Sequence, residues 1–326
     1  MKHYVVGVDL GGTNIKFGLV AAGEGIIYQT SLPTGAEEGP QYVVAQICKG
    51  IQLLLDAVPE ESQIEAVGIG APGAVSWDRT TVSAPPNFPG WDNLNLAEAI
   101  RGGVEMDLPV VVENDANAAG LGSAFYGAGR PFDSFIMVTL GTGVGGAIIY
   151  QNEIFRGATG GAGELGHISV DYEGPLDRAG VAGAAEAYLG QRFLSRHARY
   201  QLLNRKDSVI HEMADEDLMN ITPKMLHEAA LAGDAGAQEV LAWAGHKLGV
   251  MLGSAINLLD IRKVIVGGGV SAAGDYILGP ARETMLRFVM PGLRDGVEII
   301  LETLGNEAGL LGAAHLAFQA TIPSRK

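Results

Sequence analysis

YVVGVDLGGTNIKFGLV, residues 4–20, decides the fold. An apolar run reaches Leu10, breaks at Gly11-Gly12-Thr13-Asn14, and resumes with Ile15, Phe17 and Leu19 on alternate positions. Alternation on both sides of a glycine turn is the pattern of two strands joined in a hairpin. Asp9 stands just before the glycines, a carboxylate at the end of an otherwise apolar strand. The device returns in DSFIMVTLGTGVGGAIIYQN, residues 133–152, as strand, glycine turn at Gly141-Thr142-Gly143, and strand. Two copies of one unit predict two similar domains facing each other across a cleft. Backbone N–H groups exposed at such glycine tips cradle phosphate without a helix. Tight turns that only need positive φ select the same residues.

Gly141, Gly143 and Gly146 also fit G-x-G-x-x-G, the dinucleotide fingerprint. That motif must lead into a helix, whereas Ala147-Ile148-Ile149-Tyr150 is β-branched and aromatic and continues as strand. No glycine-lysine pair occurs, so there is no Walker A loop, and no G-x-S-x-G occurs, so there is no serine-hydrolase elbow.

Three further stretches end apolar strands, where open α/β sheets bind ligands: GIGAPG (68–73), ENDANAAGLG (113–122) and VIVGGGVS (264–271). In the second, a strand at 109–112 yields to a helix starting near Asp115 and Ala116. Asn114 or Asp115 suits an N-cap. Yet Glu113, Asn114, Asp115 and Asn117 place four polar groups where a cap needs one. A carboxylate at a helix N-terminus is held ionised by the dipole, which suits a base in phosphoryl transfer. GELGHISV (163–170) supplies Glu164 and His167, three apart and so not the metalloprotease spacing; a loop glutamate and a satisfied histidine read equally well.

Composition narrows the class. The 326 residues are 47% hydrophobic and 18% charged, with a net charge of −15 and no basic stripe, which points away from nucleic acid. A strand that begins by residue 4 leaves no room for a signal peptide, and no run is apolar enough for a membrane span, so the expected location is cytoplasmic. The single cysteine, Cys48, falls in YVVAQICKGIQLLLDAV with apolar residues at 43, 44, 47, 51, 54 and 55, and reads as a small buried hydrophobe on a helix. LGVMLGSAINLLDIRKVIVGGG reads as a buried helix feeding a strand. The charged segment 204–223 is either a surface excursion or the edge of a helical lid.

DLGGTNIK (9–16), ENDANAA (113–119), LGTGVGG (140–146), GELGH (163–167), EAY (186–188) and GGGVS (267–271), in this order, resemble the ROK family of repressors, open reading frames and kinases. Within it the chain is most similar to the bacterial ATP-dependent glucokinases. The resemblance implies an α/β, actin-like ATPase (ribonuclease H-like) fold, two α/β domains around a catalytic cleft. The small domain is expected at 1–117 with a C-terminal helix at 305–320, and the large domain at 118–304.

The resemblance also implies roles. Asp115 would be the base for the 6-hydroxyl of a hexose, glucose before others. Gly73, Asn87, Asn114, Glu164, His167 and Glu186 would hold the sugar. Gly11, Gly12, Thr13, Gly141, Thr142 and Gly143 would meet the ATP phosphates, and Gly267, Gly268 and Gly269 the adenosine. Asp9 would hold Mg²⁺ through water. Lys16 faces either the phosphates or solvent. An N-acetylmannosamine or N-acetylglucosamine kinase and a non-catalytic sugar sensor are the alternatives. The DNA-binding members carry an extra N-terminal helix-turn-helix, for which three residues before the first strand leave no room. A homodimer is expected.

One segment departs from the family pattern. Where C-x-C-G-x-x-G-C-x-E builds a zinc site with the histidine of the GH pair, this chain reads DRAGVAGAAE (177–186). Asp177, Ala179 and Ala184 replace the thiolates, so no zinc site is expected, and packing is expected to hold the loop that carries Glu186.

Overall fold

The glycine turn at 11–13 joins two antiparallel strands, β1 (His3–Leu10) and β2 (Asn14–Ala21), in register from Tyr4 opposite Ala21 to Leu10 opposite Ile15. The computed structural model describes residues 3–58, 62–104 and 107–321. After β2 come β3 (Gly25–Pro33), α1 (Pro40–Asp56), β4 (Gln63–Ala71), β5 (Ala74–Val75), β6 (Thr81–Ser83) and β7 (Asn93–Asn95). Then follow α2 (Leu96–Val104), β8 (Val110–Asn114), α3 (Asp115–Tyr126), β9 (Phe135–Leu140), β10 (Val144–Tyr150) and β11 (Glu153–Ile154). The rest is α4 (Glu186–Leu189), α5 (Gln191–Leu202), α6 (Ile210–Met213), α7 (Pro223–Leu231), α8 (Ala235–Leu259), β12 (Lys263–Gly267), α9 (Asp275–Phe288), β13 (Glu298–Leu301) and α10 (Ala308–Thr321).

The chain divides into two compact units: Met1–Asp133 with Ala147–Gly163 and Asn306–Lys326, and Ser134–Gly146 with Glu164–Gly305. The C-terminal helix returns to the first unit. The expected boundary at 117 falls inside α3, which stays whole with the first unit because it packs along α10. That contact is close. Methyl groups built on Gly122 and Gly312 would overlap backbone of Ala308 and Ala118, so the helices touch through bare backbone.

In the first unit the sheet order is β3-β2-β1-β4-β8, with β1, β4 and β8 parallel. The two residues after the hairpin start show how its faces are covered. The Phe17 ring abuts Gly50 of α1, whereas its neighbour Gly18 faces Leu310 of α10. Successive side chains point to opposite faces, so α1 and α10 cover opposite sides of the sheet. Parallel pairing then brings strand ends to one edge, because Asp9 lies opposite Gly70 and Gly70 opposite Glu113. A smaller sheet of β5, β6 and β7 follows β4.

The second sheet has the order β11-β10-β9-β12-β13, with β12 parallel to both β9 and β13. Gly267 of β12 lies opposite Thr139 of β9, so the second glycine hairpin and the GGG segment share an edge. The buried helix read ahead of β12 is α8, whose Gly245, Gly249 and Gly253 recur every fourth residue against α9. The charged segment 204–223 contains α6 and the short turn Leu218–Asn220, tied to α5 by Arg199, which donates to the carbonyls of Leu218 and Met219. Cys48 lies half-buried on α1, where burial pushes its thiol pKa up. Among the described residues no helix is long and apolar enough to cross a membrane.

Candidate active site

The tip of the first hairpin is braced from below. Gly11 N–H donates to the Asn14 carbonyl (3.2 Å), and the buried Thr34 donates its hydroxyl to the Gly11 carbonyl (2.6 Å) and its N–H to the Thr13 carbonyl (2.9 Å). Gly12 and Thr13 are exposed, and a methyl group on Gly12 would meet nothing of the protein. Asp9 keeps 22% of its side chain accessible. Lys16, directly opposite it in the register, places its ammonium 3.2 Å from the Asp9 carboxylate and donates to the Asn306 carbonyl (3.1 Å). In the structure its ammonium, one-third exposed, pairs with that carboxylate.

The junction of β8 and α3 sorts its four polar residues by role. Glu113 is fully buried. One carboxylate oxygen accepts the Asn114 N–H (3.0 Å) and the Asn117 side-chain amide (3.2 Å), and the other lies 3.1 Å from Nε of both Arg79 and Arg156. Arg156, 7% exposed, also donates to the carbonyls of Trp77 (2.7 Å) and Ser76 (2.9 Å) and lies over the Trp77 ring. Burial pulls the Arg156 pKa down, and the Glu113 charge opposes this. Asn114 is the N-cap: its side-chain oxygen accepts from the N–H groups of Ala116 (3.0 Å) and Asn117 (3.1 Å), while its Nδ2 donates to the Gly73 carbonyl (3.1 Å). Asp115 opens the helix and is the exposed member of the four, its Oδ1 accepting the Ala116 N–H (2.8 Å). Three of the four polar groups hold the junction together. Sequence reading missed Thr34, Arg79 and Arg156; a glutamate ending a buried strand demands a buried cation, which was the available signal for the arginines.

Gly73 has φ +93°, and a Cβ there would sit 2.8 Å from Cα of Pro85 and 2.9 Å from the Ser83 carbonyl oxygen. Only glycine lets this turn lie against the loop carrying Asn87, itself at φ +67°. The rings of Phe88 and Trp91 pack beneath that loop, 5.2 Å apart.

In the second unit, Gly141 N–H donates to the Gly143 carbonyl (3.0 Å) and Gln191 N–H to the Gly141 carbonyl (2.9 Å). Gly268, at φ +89°, lies against the backbone of Leu140, while methyl groups on Gly141 and Gly269 would meet nothing of the protein. Glu186 accepts the Val144 N–H (3.1 Å), so this carboxylate, expected at the sugar, also secures the hairpin.

His167 lies beside Glu164, Nε2 to carboxylate 3.8 Å, and its Nδ1 is 2.6 Å from Oδ2 of Asp177. The Asp177 side chain is fully buried, and its Oδ1 accepts the N–H groups of Ala179 and Val181, both at 2.9 Å. Burial alone would raise this carboxyl, but the Val181 N–H, the His167 ring and the Ala179 N–H together hold it below the usual carboxylate range. Hydrogen bonds to Asp177 close the loop ahead of Glu186, in which Ala184 and Ala185 are fully buried. Of the four positions that would ligate zinc, two offer donor atoms and two are alanine, a set that does not fit a tetrahedral site.

A ROK family profile matches residues 5–320. A glucokinase of Halalkalibacterium halodurans is 34% identical over 97% of this chain and 96% of its own length. A glucokinase of Streptomyces coelicolor is 37% identical, covering 96% of each. A crystal structure of a ROK family glucokinase from Streptomyces griseus in complex with glucose and AMPPNP superposes with a TM-score of 0.84, at 36% identity, over 97% of this chain and 99% of that one. The fold is accordingly the actin-like ATPase fold of the ROK sugar kinases.

Proposed function

The chain belongs to the ROK family, and on that premise we propose that it is an ATP-dependent hexose kinase that phosphorylates the 6-hydroxyl, with glucose as its preferred acceptor. The observation that carries this reading is the pair of aspartates at one edge of the first sheet. Asp9 is the next-to-last residue of β1, Asp115 opens α3 directly after β8, β1 and β8 both flank β4, and Asp115 stays exposed.

Asp115 would accept the proton of the attacking hydroxyl. In a loose transition state that proton leaves late, so the residue needs correct placement more than strong basicity. The N-terminus of α3 stabilises its ionised form, and the Asn114 cap and the Glu113–arginine cluster hold its backbone. The N–H groups of Gly12 and Thr13 in one hairpin tip, and of Thr142 and Gly143 in the other, would be the ones to meet phosphate, since Gly11 and Gly141 donate theirs within their own turns. Asp9 offers one partly exposed carboxylate, which fits Mg²⁺ held through its waters. When bound, Mg²⁺ supplies neutralisation of charge on the β- and γ-oxygens.

The residues that would meet the sugar are Gly73, Asn87, Asn114, Glu164, His167 and Glu186. Asn114 has one amide hydrogen left for it once Gly73 is served. Gly267–Gly269 would let the adenosine approach the chain. The donor set at His167 and Asp177 supports catalysis without zinc.

The test is ADP release from Mg·ATP with glucose, mannose, fructose, N-acetylglucosamine and N-acetylmannosamine, on protein treated with a zinc chelator, alongside Asp115→Asn. Glucose as best substrate and loss of turnover in the variant are expected. A preferred acetamido sugar would overturn the glucose assignment, and an active Asp115→Asn the assignment of the base.

A further inference from the structure

The Asp177 carboxylate stands at a position where the family pattern has a thiolate, and it is engaged on both oxygens. Oδ1 gathers two backbone N–H groups of the 177–184 turn, and Oδ2 takes the His167 ring. The turn is closed further by Asp177 N–H to the Val181 carbonyl (3.1 Å) and by bridges pairing Leu176 with Ala182 and Ser169 with Ala184. The donors shown on this carboxylate are two backbone N–H groups and the imidazole, and they set its orientation.

We propose that Asp177 is a positioning residue that does with hydrogen bonds what a metal ion does in the family pattern: it closes the loop and fixes His167 as the tautomer protonated on Nδ1. An ionised carboxylate only accepts, so the proton of a neutral ring must sit on the nitrogen facing it. The other nitrogen, Nε2, is then an acceptor, 3.8 Å from the Glu164 carboxylate, a second acceptor. Two acceptors at that spacing suit two neighbouring hydroxyl donors, as a vicinal diol offers. This last step rests on the proposed hexose site; the tautomer and the loop do not.

Asp177→Asn separates the two. The Ala179 and Val181 N–H groups keep the amide oxygen on their side, so the amide nitrogen faces the ring and donates to Nδ1, which moves the imidazole proton to Nε2. The loop stays closed while the tautomer inverts. Imidazole ¹⁵N shifts on ¹⁵N-histidine-labelled protein, above the ordinary titration range of histidine, read this directly, with His167→Gln assigning the signal. The expected result is Nδ1–H in the unsubstituted protein and Nε2–H in Asp177→Asn, with the KM for hexose raised about tenfold, the worth of one hydrogen bond, and the KM for ATP unchanged.

An unchanged tautomer in Asp177→Asn would overturn the inference. So would an unchanged hexose KM in Asp177→Asn if His167→Gln raises it. If the tautomer inverts but neither variant alters the hexose KM, the clasp stands and the placement of His167 at the sugar falls.

Discussion

His315 on α10 is the clearest pH-sensitive element in the first unit. Its ring stacks on Phe125 of α3 with centroids 3.6 Å apart and lies edge-on to Tyr126 at 6.1 Å. Burial pushes its pKa down to about 4 from 6.5. The unfolded chain therefore takes up a proton as pH falls through 6.5, which the folded chain refuses until about 4. Stability is present in full above 6.5, is lost as pH falls through that interval, and levels off below about 4. Each pH unit inside the interval is worth about 1.4 kcal/mol, so going from pH 7 to pH 5 costs the unprotonated fold about 2 kcal/mol. The depressed carboxylates of Asp177 and Asp234 lose their contribution only at lower pH, below the ordinary carboxylate value, so the windows separate. Because α3 carries Asp115 at its start, this loss falls on the helix that presents the proposed base. His315→Phe keeps an aromatic ring on Phe125 and removes the proton. Amide hydrogen exchange of α3 and α10, corrected for intrinsic pH dependence, measures local stability at the two pH values. The unsubstituted protein is expected to lose about 2 kcal/mol more than His315→Phe. Equal losses, or a histidine that titrates near 6.5 by NMR, would refute the reasoning.

Glu113→Ala leaves the Arg156 guanidinium buried beside an uncharged gap, and the expected cost is about 3–5 kcal/mol in denaturant unfolding of the first unit. Glu113→Gln, which keeps an oxygen for the Asn114 N–H, should cost less; equal costs would show that the lost charge, not the retained acceptor, sets the penalty there. Glu186→Gln retains an acceptor for the Val144 N–H and is expected to leave the KM for ATP within about twofold, whereas Glu186→Ala frees the hairpin and should raise it several-fold, about one hydrogen bond's worth. An Ala variant that alters only the hexose KM would mean the hairpin is secured without this carboxylate.

Both hairpins were legible because strand alternation and glycine turns are local signals, and the start of α3 was legible because a polar cluster follows an apolar strand. The family motifs lie in those same stretches, which is why the resemblance and the geometry agree. The contacts of Lys16 and Glu186 were not legible. Lys16 depends on which residue the opposite strand places beside it, and Glu186 reaches a backbone N–H of a distant hairpin. The loop at 177–184 shows the same limit: missing cysteines revealed that zinc ligands were lost, while only folding brought Asp177 onto His167.

Glu113 and Asp115 sum up the division. Both are acids in one short polar run, and their spacing and the helix dipole follow from local sequence. Their fates differ because Arg79 and Arg156, 34 residues before and far after the strand, converge on one of them and bury it, leaving the other at the helix start in contact with solvent. Local propensity places a carboxylate on an element. Whether that carboxylate is a structural ion or a chemical group depends on desolvation, and desolvation is set by which distant segments pack over it.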